Sequence, residues 1–351
     1  MRKIVFLLLL LLISRPVLAQ TDVIKEVFLN LNKDYINQIS NKDMTVKGLQ
    51  SLTKIDPNIR VYERANKLFL YQGDKTVKYF EFPTNNADIE AWTDLSKNVI
   101  SQATKVSEKL DVLDFELPDR FAASVFEGLD GYSHYFGAFE DVDESKPLKF
   151  KRPFASRVID NVLLIRVLSF QKDVSQRVQT AVEECSKCEG LILDLRGNHG
   201  GLLDEALKIA NLFLDEGIIA YTLSAENNSP EYYTAEPGDI LGGRPMVILT
   251  DGYTASAAEV LAGGLSEQNR AVLIGTKTYG KGSVQDVQKM GSDRAISMTT
   301  SFFYTPSGVK IDKVGLSPFI CTSTNESCEK EDRLHQEEDI DRAVKYLKTG
   351  M

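Results

Sequence analysis

The sequence predicts a mixed α/β protein, in which a mainly helical N-terminal domain precedes a domain built on a helix-covered sheet. Apolar residues recur at helical spacing between residues 21 and 139. From about residue 158, nearly all-apolar segments of strand length alternate with amphipathic helical segments. Strands that are apolar on both faces are typical of a sheet covered by helices on each side.

The first residues predict a cleavable export signal over positions 1–19. Arg2 and Lys3 precede an apolar run from Ile4 to Ile13, and V-L-A comes directly before Gln20. This order is that of a secretory signal. The run is too short to cross a bilayer, which needs about 20 residues. We therefore expect an exported protein, periplasmic or extracellular, whose mature chain has no stable membrane insertion.

Composition and charge narrow the class further. The chain has 351 residues, 43% hydrophobic and 26% charged, which fits a folded protein of two domains, at 20–140 and 141–351. Its net charge is −9, and no stripe of Lys and Arg breaks the acidic balance. We therefore expect no nucleic-acid partner. The helical N-terminal domain is the expected site of homo-oligomerisation.

The N-terminal domain is predicted to contain helices and one hairpin. Val23, Val27 and Leu31 recur at helical spacing, and the apolar residues between Leu95 and Leu110 do so again. Alternating residues over 67–71 and 76–80 predict a hairpin that turns at 72–74. Residue types that carry catalysis are not concentrated in this part of the sequence.

The second domain is predicted to be a sheet with three reactive loops. The predicted strands are 161–167, 190–195, 244–250 and 271–275, and the predicted helices are 174–185, 202–214 and 256–265. In such sheets chemistry takes place at the carboxyl ends of the strands. The loops that satisfy this condition are 196–201, 251–255 and 276–282.

The first loop carries paired glycines, Gly200 and Gly201, between a strand and a helix. Glycines let a backbone approach a ligand closely, and N–H groups at a helix start suit an anion or a developing oxyanion. In the second loop Ser256 opens an apolar helix. A serine there is an ordinary N-cap, but it also lies beside free N–H groups that could receive an oxyanion.

The third loop, 275–281, reads G-T-K-T-Y-G-K and nearly spells a phosphate-binding P-loop. Gly282 stands where that motif needs a hydroxyl, and the alternation over 283–287 predicts a strand instead of a helix. We therefore set the nucleotide interpretation aside. The loop leaves Lys281 as a candidate base for Ser256.

Histidine is scarce, and this limits the available catalysts. His134, His199 and His335 are the three histidines, and His199 alone falls in a candidate loop. An amine can replace imidazole as a general base if it is neutral, a form that burial favours, and Ser–Lys pairs solve the same chemical problem. The residues favour Ser256 with Lys281, with no metal and no cofactor.

Four cysteines form two pairs close in sequence, Cys185 with Cys188 and Cys321 with Cys328. In an oxidising compartment such pairs predict two local disulfides. Zinc would need both pairs brought together from distant segments, at spacings that match no common ligand pattern.

The three loops together resemble the C-terminal processing, or tail-specific, serine peptidase family. Its D-L-R-x-N-x-G-G, T-x-x-x-x-A-S-A-x-E and G-K-G-x-V-Q motifs match residues 194–201, 250–259 and 280–285 in the same order. Weaker similarities lie at 129–135, 304–308 and 340–344, so the resemblance covers roughly residues 115–345.

The resemblance implies a serine endopeptidase that hydrolyses peptide bonds in protein substrates. Ser256 would be the nucleophile and Lys281 the neutral general base, with Gln285 holding the lysine amine. The oxyanion donors would be the N–H of Ala257 and one N–H from Gly200 or Gly201. The alternative is a catalytically degenerate binding protein on the same fold.

One departure from the family is large. Typical members place a PDZ domain between the L-D-x-x-S-x-Y segment, here residues 129–135, and the first strand of the catalytic domain. Here about twenty residues separate Phe139 from Ile159, far fewer than a domain needs. We expect a member without the PDZ domain, so the family's preference for protein C-termini does not transfer directly.

Overall fold

The structure is a computed structural model that describes residues 22–137, 153–225, 229–323 and 327–350. The predicted export signal lies outside the described residues. The helices are α1 (Val23–Asp34), α2 (Asn41–Ile55), α3 (Ile89–Thr104), α4 (Glu108–Val112), α5 (Leu117–Glu127), α6 (Val174–Glu184), α7 (Leu203–Asn211), α8 (Ala257–Glu267) and α9 (Glu337–Thr349). The strands are β1 (Ile59–Arg64), β2 (Lys67–Gln72), β3 (Lys75–Glu81), β4 (His134–Phe136), β5 (Phe154–Ile159), β6 (Val162–Val167), β7 (Gly190–Asp194), β8 (Ile218–Ser224), β9 (Pro230–Thr234), β10 (Met246–Thr250), β11 (Val272–Gly275), β12 (Ser283–Met290), β13 (Arg294–Tyr304) and β14 (Ile320–Cys321).

The N-terminal region contains helices α1 to α5 and an antiparallel sheet in the order β1-β2-β3. The predicted hairpin is confirmed as β2 and β3. The predicted helix over 95–110 is instead divided between α3 and α4. The division falls at Ser107, whose Oγ accepts from Leu110 N at 3.4 Å and donates to Asp56 at 2.7 Å. Ser107 is the N-cap of α4, and α3 ends before it, at Thr104.

This region shares its core with the second half of the chain. The buried cluster that contains Phe28, Leu52 and Phe121 also contains Met290 of β12 and Met298 of β13. Strand β4 pairs with β13 as well. The division at residue 140 therefore remains a prediction about the chain, and packing crosses it.

The second region is organised by a six-stranded sheet in the order β14-β11-β10-β7-β6-β5. All pairs are parallel except β5 with β6, and the four strands predicted here are confirmed as β6, β7, β10 and β11. Apolar residues of α6, α7 and α8 cover one face, and Ile340, Ala343 and Val344 of α9 cover the other. The expected helix-covered sheet is present.

A second, antiparallel sheet follows the order β12-β13-β8-β9, with β4 also paired to β13. Of these strands the sequence predicted only β12. A small core of Ala220, Val260, Phe303 and Ile311 joins this sheet to α8. Val260 near the start of α8 belongs to this core, and Val284 near the start of β12 packs against it.

The buried guanidinium of Arg196 attaches α9 to the sheet. Its nitrogens donate to Asp194 at 2.8 Å, to Asp339 at 3.1 Å, and to the backbone oxygens of Arg333 and Gln336. Burial acts to lower the pKa of Arg196, but the hydrogen bonds and charges of Asp194 and Asp339 outweigh it and raise the pKa overall. Each of the three guanidinium nitrogens therefore meets at least one acceptor.

The two cysteine pairs predicted from the sequence are bonded in the structure, with Cα–Cα distances of 5.4 Å for Cys185–Cys188 and 5.9 Å for Cys321–Cys328. The second bridge lies beside the 276–282 loop, because Thr322 N donates to Gly275 O at 2.9 Å. Among the helices of the described ranges, none has both the length and the apolar character needed to cross a bilayer.

Replacing Arg196 tests how strongly the buried network holds the fold. Arg196→Met removes the buried cation that bridges Asp194 and Asp339, leaving only Arg166 on Asp194 and Arg333 on Asp339, so we expect a loss of about 3–5 kcal/mol in the free energy of unfolding. Arg157→Met is the matched control, since it removes an exposed pair with Glu337 of α9 and should cost at most about 1 kcal/mol. Urea unfolding measures both, and equal losses would contradict the prediction.

Candidate active site

The three loops meet at one edge of the parallel sheet. Strand β10 lies between β7 and β11, so the segments that follow these strands are neighbours at their carboxyl ends. Direct bonds join the first two loops: Ala255 N donates to Asn198 O at 2.9 Å, and Thr254 Oγ1 donates to Leu195 O at 3.0 Å. The three loops therefore lie together at the carboxyl ends of the parallel strands, as the sequence predicted.

Ser256 has an uncommon backbone conformation at the turn between β10 and α8. Its φ is 57° and its ψ is −124°, a region that residues with a Cβ rarely adopt. The residue is half-buried, and its N–H donates to Glu259 Oε2 at 2.9 Å. A strained serine at the start of a helix is more than a routine cap, because a cap normally has extended backbone angles.

The carboxylate of Glu259 joins the serine loop to the lysine loop. Oε2 accepts from the N–H groups of Ser256 and Lys281, both at 2.9 Å. Oε1 accepts from Gly280 N at 2.7 Å and from Thr278 Oγ1. Burial raises the pKa of the Glu259 carboxyl, and the four donors act in the opposite direction. One oxygen thus holds the backbones of both proposed catalytic residues.

A second buried carboxylate, Asp251, organises the opposite side. Its Oδ1 accepts from the N–H groups of Gly197, Tyr253 and Thr254, each at 3.0 Å, and its Oδ2 accepts from Arg333 N at 3.3 Å. Burial raises the pKa of Asp251 against the effect of these donors. The first loop, the serine loop and the C-terminal segment are therefore held by one side chain.

Gly200 lies directly against the serine turn. A Cβ added to Gly200 would be 3.0 Å from Ser256 Cβ, 3.1 Å from Ala255 O and 3.3 Å from Ala257 N, at a φ of 99°. A side chain here would therefore collide with the nucleophile. The sequence predicted that the paired glycines let the backbone approach a ligand, and the close contact of Gly200 with Ser256 itself was not predicted.

The hydrogen bonds separate the candidate oxyanion donors. Gly200 N already donates to Asn198 Oδ1 at 2.8 Å. Among the described residues, the N–H groups of Gly201 and Ala257 have no acceptor. For Ala257 this follows from its place as the first residue of α8, where helical geometry supplies no acceptor.

Lys281 is half-buried and its amine faces an aromatic ring. Its Nζ lies 5.1 Å from the ring centroid of Tyr132, which precedes β4. Within the described part of the chain, the Lys281 amine forms no hydrogen bond with Ser256 or with Gln285. The structure therefore brings the Ser256 and Lys281 backbones together through Glu259, while the two reactive side-chain atoms are not bonded to each other.

Gln285 lies on β12, after a bulge between Val284 and Gln285. Its Nε2 donates to Thr299 Oγ1 at 3.3 Å. The predicted bond from Lys281 to Gln285 is thus not formed in this conformation, and the role of Gln285 stays a prediction. The donor end of its amide is used, and the carbonyl oxygen has no donor among the described residues.

The histidines lie outside this arrangement. His199 is exposed in the first loop, and its ring makes an edge contact with Tyr253 at a centroid distance of 5.6 Å. His134 and His335 are also exposed. Within the described ranges, none of the three is hydrogen-bonded to Ser256.

Sequence reasoning assigned no role to Glu259 or Tyr132. For Glu259 a signal was present, because S-A-A-E over 256–259 is a capping-box pattern in which the fourth residue reaches back to the first N–H. Its second set of donors, from the lysine loop, has no counterpart in that local pattern. For Tyr132 the only signal was its place in the 129–135 segment, which does not predict contact with Lys281.

The chain is similar in sequence to known peptidases. Residues 161–321 match the family described as Peptidase family S41. A carboxy-terminal-processing protease of Bartonella bacilliformis is 35% identical over 186 residues, which cover 51% of this chain and 42% of that protein. A carboxyl-terminal-processing protease of Synechocystis sp. is 38% identical over 165 residues, covering 46% and 38%. The chain thus matches less than half the length of these relatives, and the resemblance to processing peptidases is confirmed.

A solved structure shows the same fold. The structure of a lipoprotein from Streptococcus agalactiae matches with a TM-score of 0.50 at 16% identity, covering 90% of this chain and 99% of that one. At this identity the likeness concerns the arrangement of the chain and carries no information on activity. The helical region and the sheet domain therefore recur together in a known protein.

Glu259→Gln tests whether this carboxylate holds the two loops together. In either orientation, the NH₂ group that replaces one oxygen would face at least one backbone N–H, from Ser256 and Lys281 or from Gly280. We expect a loss of about 1–3 kcal/mol or more in the free energy of unfolding, the cost of a buried unsatisfied donor. Glu267→Gln, on the same helix, loses only a partly exposed acceptor of Ser307 N and should cost less than about 1 kcal/mol. Equal stability of the Glu259→Gln and wild-type proteins in urea would refute the assignment.

Proposed function

We propose that this chain, whose residues 161–321 match Peptidase family S41, is a serine endopeptidase acting on protein substrates, with Ser256 as nucleophile and Lys281 as general base. The observation that carries the proposal is the shared Glu259 oxygen, which accepts from the backbones of both residues. A carboxylate that binds both loops keeps the Ser256 and Lys281 backbones close to each other, as a reaction that uses both side chains requires.

In the proposed reaction the neutral Lys281 amine takes the proton from Ser256 Oγ as that oxygen attacks the peptide carbonyl. The tetrahedral intermediate collapses, the proton passes to the leaving amine, and an ester joins the substrate to Ser256. Water then attacks the ester and gives its proton to Lys281, which passes it to Ser256 Oγ as the C–O bond breaks, so the free acid, the serine hydroxyl and the neutral amine are regenerated. The step requires the lysine side chain to rotate from the Tyr132 ring towards Ser256, which its flexible stem allows.

Oxyanion stabilisation is proposed for two backbone N–H groups. Ala257 N is free at the positive end of α8, a favourable place for a developing negative charge. Of the paired glycines, Gly201 is the better second donor, because Gly200 N is already bonded to Asn198. We propose that Gly200 serves the site by its missing side chain, which lets the first loop approach Ser256.

Gln285 is proposed to orient the lysine. Thr299 anchors its Nε2, which leaves the amide oxygen to accept from the Lys281 amine when that amine moves towards Ser256. A group fixed at one end and open at the other is suited to holding an amine in one orientation.

The alternative, a binding protein on the same fold, is favoured by one observation: Lys281 Nζ lies over Tyr132 and is not bonded to Ser256. Labelling with a serine-reactive fluorophosphonate separates the two proposals. Labelling of wild type, but not of Ser256→Ala, supports the peptidase. An enzyme in its resting conformation and a pure binder differ in this reaction, because only the former can activate its serine.

Export and substrate preference are also proposals. Two disulfides suit an oxidising compartment, which supports export to the periplasm or beyond. Cleavage near protein C-termini is proposed from the names of the relatives. Only residues 137–153 separate β4 from β5, which is where typical family members place a PDZ domain. The family's preference for C-termini therefore does not transfer directly. Homo-oligomerisation through the helical region stays a prediction, which light scattering can test.

Ser256→Ala should abolish hydrolysis of an unfolded protein substrate and leave the fold intact, since the change removes only the hydroxyl oxygen of a half-buried side chain. Quantified release of peptides from a denatured substrate gives the rate, and circular dichroism verifies the fold. Turnover by the variant at the wild-type rate would rule out Ser256 as the nucleophile.

Lys281→Arg and Lys281→Ala test the base separately. Guanidinium keeps the positive charge but stays protonated at any pH near neutrality, so both variants should lose activity by about 10² to 10⁴, the usual contribution of a general base. Lys277→Arg in the same loop is the control and should keep the wild-type rate. Substantial turnover by either Lys281 variant would make His199 the next candidate.

Gly200→Ala should lower the rate through crowding at Ser256. The added methyl would lie 3.0 Å from Ser256 Cβ, and a displacement of about 1 Å at a reacting group costs on the order of 10²-fold in rate. Gly243→Ala is the matched control, because its φ of 75° is also positive and nothing lies within 4 Å of the added methyl. Equal rates for the two variants would show that the first loop does not press on the nucleophile.

A further inference from the structure

A cavity of about 380 Å³ lies next to the lysine loop. Its walls come from four parts of the chain: Asn37, the 129–132 segment, the facing strands β12 and β13, and the 310–313 segment. Leu129, Tyr132 and Phe302 give it an apolar surface. Its size is suited to one large side chain of a bound peptide.

Two polar side chains of this cavity have unused hydrogen-bonding capacity. Ser283 is 5% exposed and Asp312 is 7% exposed. Ser283 Oγ and Asp312 Oδ1 are buried without a partner among the described residues, and no described residue donates to the other Asp312 oxygen. Leaving such groups unsatisfied is costly. A group that enters the cavity is the partner that the fold leaves open.

Two other polar residues of the wall, Asp130 and Thr299, are already engaged. Asp130 Oδ1 accepts from the N–H groups of Tyr132 and Ser133, both at 2.8 Å. Thr299 Oγ1 accepts from Gln285. Among the buried polar residues of the wall, the unused hydrogen-bonding capacity is therefore concentrated at one hydroxyl and one carboxylate.

The cavity adjoins the proposed base. Ser283, the first residue of β12, follows Lys281 by two residues. Tyr132 contributes to the wall and also carries the Lys281 amine over its ring at 5.1 Å. Asp312 lies against the same loop, because a Cβ added to Gly282 would be 2.3 Å from Asp312 N. A side chain in this cavity would therefore belong to a residue close to the bond being cut.

Charge selects the class of side chain. Lys310 and Lys313 line the cavity and form no ion pair within the described part of the chain; the Lys310 amine lies 3.3 Å from the Phe302 ring centroid. Asp130 and Asp312 line it as well, so the charged residues of the wall balance, two positive against two negative. A charged side chain would lose its hydration there without a net opposite charge to replace it. A neutral group with both a donor and an acceptor avoids this cost.

We infer that this cavity is a substrate subsite that selects an uncharged carboxamide side chain, glutamine or asparagine. Its NH₂ donates to Asp312, and its carbonyl oxygen accepts from the Ser283 hydroxyl. The inference rests on the proposed peptidase function for its place beside the scissile bond. It adds to that function a substrate class and two residues, Ser283 and Asp312, that determine it.

Peptide binding to the Ser256→Ala protein tests the subsite without turnover. The probes are acetylated, amidated octapeptides in which one position carries Gln, Glu, Lys or Leu, scanned along the peptide. By isothermal titration calorimetry, we expect Gln to bind about tenfold more tightly than the other three at one position, the effect of about one buried hydrogen bond. No position with a Gln preference, or a preference for Glu or Lys, would overturn the inference.

Variants of the two selecting residues make the test specific. With Asp312→Asn added, the amide at position 312 can donate to a carboxylate, so the Gln-to-Glu affinity ratio should fall from about ten to about one, with Leu binding unchanged. Ser283→Ala should weaken Gln and leave Leu unchanged. Asp341→Asn, at an exposed position on α9, is the control and should keep the ratio. A ratio unchanged in Asp312→Asn would overturn the assignment.

The two proposals fail in different ways. If wild type and Ser256→Ala both lack hydrolytic activity while the Gln preference and its loss in Asp312→Asn are seen, the peptidase proposal fails and the binding site stands. If hydrolysis depends on Ser256 but no peptide position prefers Gln, the subsite proposal fails alone.

Discussion

The carboxylate of Glu259 is the constraint on which the rest of the site depends. It is fully buried and receives donors from both sides, the Ser256 backbone on one side and the Thr278, Gly280 and Lys281 donors on the other. Buried carboxylates are tolerated only when their lone pairs are satisfied. The pairing of the serine and lysine loops is therefore a condition for burying this residue at all.

A network of buried charged side chains holds the loops of the site in place. Asp251 joins the first loop, the serine loop and Arg333, while Arg196 and Arg333 converge on Asp339 of α9. The C-terminal segment also reaches forward, since Gly252 N donates to Glu331 O at 2.7 Å. Such networks specify one arrangement because every partial version leaves an unpaired charge. The end of the chain thus takes part in shaping loops that lie far from it in sequence.

The helical region contributes to the site as well as to the fold. It packs on β12 and β13, the hairpin that follows Lys281, and supplies the Tyr132 ring beneath the lysine amine. The same segment forms a wall of the cavity that holds Ser283 and Asp312. Movement of this region relative to the hairpin would therefore change the surroundings of the Lys281 amine and the shape of the adjoining cavity together. This coupling follows from packing alone.

By itself the sequence determined the helix-covered sheet and the three reactive loops, because these depend on local patterns: apolar strands, amphipathic helices, and glycines or serine at strand ends. It also singled out Ser256, Lys281 and Gly200, which occupy neighbouring places at the sheet edge. Strands β8, β9 and β13 were not predicted, because none shows a clear alternation: β13 is buried at nearly every residue, β9 is almost entirely exposed, and β8 has no regular pattern. Tertiary structure alone decided that Glu259 would also bind the lysine loop and that Lys281 would lie on Tyr132. Each of these depends on the position of one side chain relative to another segment, and spacing along the chain does not encode that distance.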